Sequence, residues 1–216
     1  MLRLPWVLAT LVVVLIAASC GGSSDAGSSN DADLDEPSQS LGEPVVIGNL
    51  GGPPLEGHTP QGFAGMGTGL FVGDNLNANF PEGDGVQLFV AFELPSDVGE
   101  VTAATLSSEN MTVRGTPFET LGQLRAQAVS FETFGPAVFD TPGLGEPTDC
   151  SPQGTTALNC DVTQAVNDAV DAGTANLQLR LRFDVPGDGD GEQDMALFFL
   201  TDSNTNEPGI FSLTLE

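Results

Sequence analysis

The chain has 216 residues, 40 % of them hydrophobic, with 30 acidic side chains against 5 basic ones and no lysine or tyrosine. A formal charge of −25 repels phosphate backbones and anionic lipid headgroups, which argues strongly against nucleic-acid binding and against charge-driven adsorption to lipid. Without Lys or Tyr, Schiff-base chemistry and most lyase mechanisms fall away, while 27 Gly, 15 Pro and short apolar runs favour strands and turns over long helices.

The N-terminus reads as an export segment. Arg3 precedes an apolar run from Val7 to Ala18, interrupted only by Thr10. At about twelve residues it is too short to span a bilayer and suits a signal-peptide apolar region. Ala17-Ala18-Ser19-Cys20 looks like a bacterial lipobox, with Ala17 where Leu is usual. The resemblance implies a signal peptide over residues 1–19, lipid on Cys20 and a membrane-anchored protein. Gly21 in place of a retention-type Asp points to the outer membrane or cell surface. An ordinary signal peptide, leaving Cys20 a stray thiol, is the alternative.

Residues 20–43 are rich in Gly, Ser, Asn and acid, with two leucines and no aromatics. They cannot bury enough apolar surface to fold and are expected to form a flexible linker. A coil of this length reaches roughly 25–30 Å.

From residue 44 to 216 the pattern is strand, turn, strand, and the expectation is an all-β, jelly-roll-like antiparallel β-sandwich with one short helix. Strand candidates are Val45–Ile47, Leu70–Val72, Val86–Leu94, Val101–Leu106, Met111–Arg114, Ala126–Phe134, Ala137–Phe139, Leu177–Phe183, Met195–Thr201 and Ile210–Leu215. Val86–Leu94 is part alternating and part continuous, as in a strand covered on one face and partly on the other. Pro95-Ser96-Asp97, Pro142-Gly143, Pro186-Gly187-Asp188-Gly189 and Pro208-Gly209 supply turn chemistry.

The helix is expected to start at Asp161, with Gln164 as its capping-box partner. Val162, Ala165, Val166, Ala169 and Val170 form one apolar stripe, and Gly173 is a natural stop. Cys150 and Cys160 bracket a polar loop just before it. In an exported protein they are expected to pair as a disulfide. Closing so short a loop contributes roughly 2.5–3 kcal/mol in the chain-entropy model.

Three segments carry a family resemblance. A strand ending Phe92-Glu93-Leu94-Pro95 is followed by Val101–Leu106. Asp161-Val162-Thr163 then leads through a short helix to Leu177–Phe183, and Pro208–Leu213 closes the chain. Together these resemble the DNRLRE-type domains, carbohydrate-binding-module-like jelly rolls of exported bacterial proteins, over about residues 69–216. Ile210 and Phe211 depart from the usual Pro-x-Leu ending. Some relatives bind polysaccharide, so the resemblance implies a possible glycan partner.

Few residues suggest catalysis. His58, the one histidine, lies in a Gly/Pro-rich loop and reads as a solvated residue. Gly65–Gly69 precedes a strand and has no Lys, which does not suit a phosphate cradle. Asn110-Met111-Thr112 matches a glycosylation sequon that in bacteria is usually a chance match. The best cluster is Asp188, Asp190, Glu192 and Asp194. Alternating acids with small spacers can wrap a hard cation such as Ca²⁺, although the EF-hand pattern fails at Gln193 and Phe199. The bland reading is an acidic, solvated hairpin loop. With Trp6 in the export segment and no Tyr, aromatic stacking on sugars is confined to Phe.

The expectation is therefore a lipid-anchored, non-catalytic surface module of the cell envelope, with a binding or structural role and polysaccharide as a possible ligand. Two alternatives stand beside it: a polysaccharide-acting hydrolase or lyase, and a subunit that docks an envelope protein.

Overall fold

A computed structural model describes residues 38–51, 61–64, 70–74, 85–108, 111–150, 156–198 and 211–216. All belong to one folded unit, Glu36–Glu216. Its strands are β1 (Gln39–Leu41), β2 (Val46–Gly51), β3 (Gln61–Ala64), β4 (Leu70–Asp74), β5 (Gly85–Glu93), β6 (Ala104–Ser108), β7 (Met111–Arg114), β8 (Leu124–Ala128), β9 (Leu144–Asp149), β10 (Leu158–Asp161), β11 (Asn176–Phe183), β12 (Asp194–Phe198) and β13 (Phe211–Leu215). The helices are α1 (Pro117–Thr120) and α2 (Thr163–Asp171), with a 3-10 turn at Pro136–Val138.

These strands make the expected all-β sandwich of two antiparallel sheets. The smaller runs β1-β13-β6-β10. The larger runs β7-β12-β4-β5-β11-β8-β9, with β2 also on β5 and β3 on β2. The main core contains Leu88, Val90 and Phe92 of β5, alternate residues Leu177–Phe183 of β11, Leu106 of β6, and Leu213 and Leu215 of β13. Period-two alternation puts each such set on one face.

β5 is apolar on both faces because both are covered. Its other face carries Phe89 into a second cluster with Leu50, Val129, Val138 and Phe139, flanked by Phe131 and Phe134. The segment after β8 supplies that cover, which corrects two expected strands. β8 stops at Ala128. The Gln178 side chain then takes the Phe131 backbone, accepting from its N–H at 2.7 Å and donating to its carbonyl at 2.8 Å. That pairing holds the chain over the sheet, and Ala137–Phe139 turns as a 3-10 helix and its cap.

Three further expectations shift. Gln39–Leu41, expected in the linker, pairs with Leu215–Leu213 as β1. The strand expected at Val101–Leu106 begins at Ala104, since the Val101 N–H and carbonyl are both taken by Asn167. Two short helical turns, α1 and Pro136–Val138, join the one helix expected.

That helix, α2, packs Val162, Ala165, Val166, Ala169 and Val170 on the core, as its stripe requires. Its start is not a capping box. Asp161 Oδ1 accepts from the Thr163 N–H (3.0 Å) and hydroxyl (2.6 Å), which hold its carboxyl below the usual range. Gln164 instead donates to Asp168. Its end is a Schellman turn: the Gly173 N–H reaches the Val170 carbonyl and the Thr174 N–H that of Ala169.

The Cys150–Cys160 disulfide forms, with Cα atoms 4.1 Å apart. Cys150 follows β9, an edge of the large sheet, and Cys160 lies in β10, an edge of the small one. The bond therefore clasps the two layers along one side of the sandwich.

Candidate functional site

Two adjoining features stand out: a carboxylate cluster across the β4–β12 pair and a polar groove on the outer face of the large sheet.

The cluster begins with strand register. Asp194 starts β12 directly opposite Asp74, which ends β4. Cross-strand partners share a face, with Cβ atoms about 4.5–5.5 Å apart, so two acids stand side by side. Both are buried, Asp74 at 1 % exposure and Asp194 at 3 %. The strands approach closely because Gly73 (φ +123°) leaves room; a Cβ there would strike the Asp194 carbonyl. Like charges at so short a spacing, out of water, are costly unless something compensates them.

Asp194 is partly compensated. It accepts from the Thr116 N–H at 2.5 Å and the Thr120 hydroxyl at 3.1 Å, which ties α1 to β12. Asp74 is not: neither carboxylate oxygen has a hydrogen-bond partner. Burial pushes its pKa up to about 6, and the carboxylates of Asp188, Asp190 and Asp194 add to the rise. The Asp188 amide opposes it from nearby without reaching hydrogen-bond geometry.

The loop before β12 brings the remaining acids. The Asp190 N–H donates to Asp188 Oδ1 (3.1 Å) and the Glu192 N–H to Asp190 Oδ1 (2.7 Å). These two Asx turns curl the loop around its own carboxylates. One oxygen each from Asp188, Asp190 and Asp194 then lies within 4.8 Å of the others. Of the four acids expected here, the structure gathers three. Glu192 is exposed and outside the group; it contributes its backbone N–H. Sequence reasoning missed Asp74, whose only signal was an acid ending the apolar run Leu70–Val72.

The groove has a volume of about 490 Å³ and is lined by Gln87, Gln127, Asp140, Arg180 and Arg182 among others. Arg180 and Arg182 lie on the outer face of β11, opposite to its core leucines. Arg180 is 4 % exposed. It donates through Nη1 to the Thr141 carbonyl (2.9 Å) and through Nη2 to Gln127 Oε1 (2.8 Å), while its buried Nε has no partner. Burial lowers its pKa, Arg182 lowers it further, and Asp140 opposes both. The buried Gln87 Oε1 is likewise unpartnered. Behind the wall, a guanidinium N–H of Arg180 and the amide oxygen of Gln87 are thus buried without a hydrogen-bond partner.

Arg125, directly opposite Arg182, is differently employed: it pairs with Asp149 and, at 2.5 Å, with Asp184. These bonds occupy one of the groove's carboxylates. Asp184 also accepts from the Gln123 N–H, so it is a structural acid.

Cys20, His58, the Gly65–Gly69 run and Asn110 lie outside the described residues. No protein-family model matches the chain, and no curated protein sequence matches it.

Proposed function

We propose that this chain is exported, held at a membrane by lipid on Cys20, and serves the cell envelope as a non-catalytic binding module whose ligand is polysaccharide. The observation that carries the reading is the groove. A two-sheet sandwich has a filled interior, so a ligand must be met on a surface. Here a concave strip of the large sheet is lined by Arg180, Arg182, Gln87 and Gln127, with Arg182 the more exposed of the two guanidiniums. Polar side chains fixed on strands suit hydroxyl-rich and carboxylate-bearing sugars, because bidentate contacts orient such groups. Four arginines follow Cys20 in a chain this acidic, and two of them line one groove. The disulfide clasp agrees with an oxidising, extracytoplasmic compartment.

Two experiments test the two halves. Glycan-array binding of the chain solubilised by Cys20→Ala is expected to select anionic polysaccharide, and Arg182→Ala to reduce that binding at least tenfold. Absence of any glycan binding sinks the ligand assignment. In cells, Cys20→Ala is expected to move the protein from the membrane to the soluble fraction; retention in the membrane refutes the anchor.

A further inference from the structure

We propose that Asp74, Asp188, Asp190 and Asp194 form a calcium site that fastens the acidic loop to the β4–β12 pair. An acidic loop alone would not support this, since solvated acids are common. The deciding group is Asp74. It comes from a distant part of the chain, is 1 % exposed, and leaves both carboxylate oxygens without a partner. Asp194 stands directly opposite it in the β4–β12 register, and the charged side chains that act on it, Asp188, Asp190 and Asp194, are all carboxylates. A buried carboxyl surrounded by like charge is the arrangement a bound cation would stabilise and solvent cannot.

The donor set selects the metal. Three converging carboxylates, Asp188, Asp190 and Asp194, with Asp74 beside them and no described His or Cys in the group, offer oxygen donors alone, which suits calcium or magnesium over zinc or copper. The oxygens of Asp188, Asp190 and Asp194, within 4.8 Å of one another, fit around an ion with Ca–O distances of about 2.3–2.6 Å. Ligands from two strands and one curled loop favour calcium's irregular, higher coordination over the strict octahedron of magnesium. Asp194 accepts its two protein hydrogen bonds with lone pairs to spare, since an ionised carboxylate has about four acceptor sites. The ion would join α1, β4, β12 and the 188–190 turn through one centre.

The test is calorimetric calcium titration and thermal unfolding of the whole chain with Cys20→Ala, in EDTA, CaCl2 or MgCl2 at matched ionic strength. Calcium is expected to bind one site with Kd of about 10⁻⁴ M, in the range of extracellular modules. At 10 mM it is expected to raise Tm by about 5–10 °C over EDTA, with magnesium giving less than half that shift. Asp190→Ala, in the exposed loop, is expected to weaken calcium at least tenfold with little change in the EDTA melting temperature. Asp74→Asn is expected to weaken it as much and also to melt higher in EDTA, because a buried charge is gone. Should Asp74→Asn fail to fold, Asp190→Ala carries the test. No calcium-dependent shift in the parent chain, an equal shift with magnesium, or an unchanged calcium response in Asp190→Ala overturns the proposal.

Discussion

The two sides of the large sheet solve the same problem in opposite ways. At one margin β9 meets β10 of the small sheet through a covalent clasp, Cys150–Cys160. Towards the other margin, β12 and β4 carry paired acids instead of an internal bond. There the layers are joined by ring packing, Phe198 of β12 against Phe211 of β13 with centroids 5.1 Å apart. A disulfide constrains the unfolded chain under every ionic condition, whereas repelling carboxylates make stability depend on what the surroundings supply. The clasped side should thus hold a fixed shape and the acidic side should respond to its solvent.

Breaking the packing on the acidic side should have the largest effect. Phe198 is fully buried, and Phe198→Ala is expected to cost about 3–5 kcal/mol in urea unfolding; a loss under 1 kcal/mol would mean the sheets are joined elsewhere. Next comes the clasp. Replacing both Cys150 and Cys160 by Ser is expected to cost about 2.5–3 kcal/mol, equally in EDTA and in calcium, and a calcium-dependent loss would show that the two margins are coupled.

Gly73→Ala sharpens the comparison at the acid pair. Positive φ and the Asp194 carbonyl leave no room for a methyl group, so about 1–3 kcal/mol is expected, with the calcium response impaired. An unchanged melting temperature would mean that β4 can retreat from β12 freely.

The smallest effect lies back near the clasp, at Arg125. Its hydrogen bond holds the Asp184 carboxyl below the ordinary range. A depressed carboxylate contributes stability above its unfolded pKa, near 3.9, and loses it as pH falls through the folded value. Arg125→Ala should therefore narrow the stability difference between pH 7 and pH 3. Both partners are solvent-accessible, so the change should be below about 1 kcal/mol; the pH dependence of urea midpoints measures it.

Much of this fold is legible in the amino-acid order because hydrophobic contrast was strong where it mattered. β5 and β11 read as strands from their apolar residues, and α2 from its stripe. The cysteine spacing and the exported context suffice for the disulfide. β1, β3, β9 and β10 were missed because they are edge strands with little apolar contrast; β9 even contains Pro147, which an edge tolerates. Their identity comes from neighbours that only the folded chain provides. The acidic site divides in the same way. Asp188, Asp190 and Asp194 are local in sequence, so composition finds them, whereas Asp74 arrives by strand register. The groove is wholly a product of register, since nothing local places Gln127 opposite Arg180 or brings Gln87 into the same strip.

The place where the chain enters the sandwich has a mechanical consequence. Gln39 lies opposite Leu215, and among the described residues three pairs hold β1 to β13. In the anchored reading, a pull along the tether loads those pairs before any core strand. Peeling β1 frees the chain up to β2 and lengthens the leash by about 20–25 Å, at roughly 3.4 Å per extended residue. Were the chain so anchored, the first strand would work as a release clip that yields under tension and reseats when slack returns, with the groove and the acidic loop left on the other sheet.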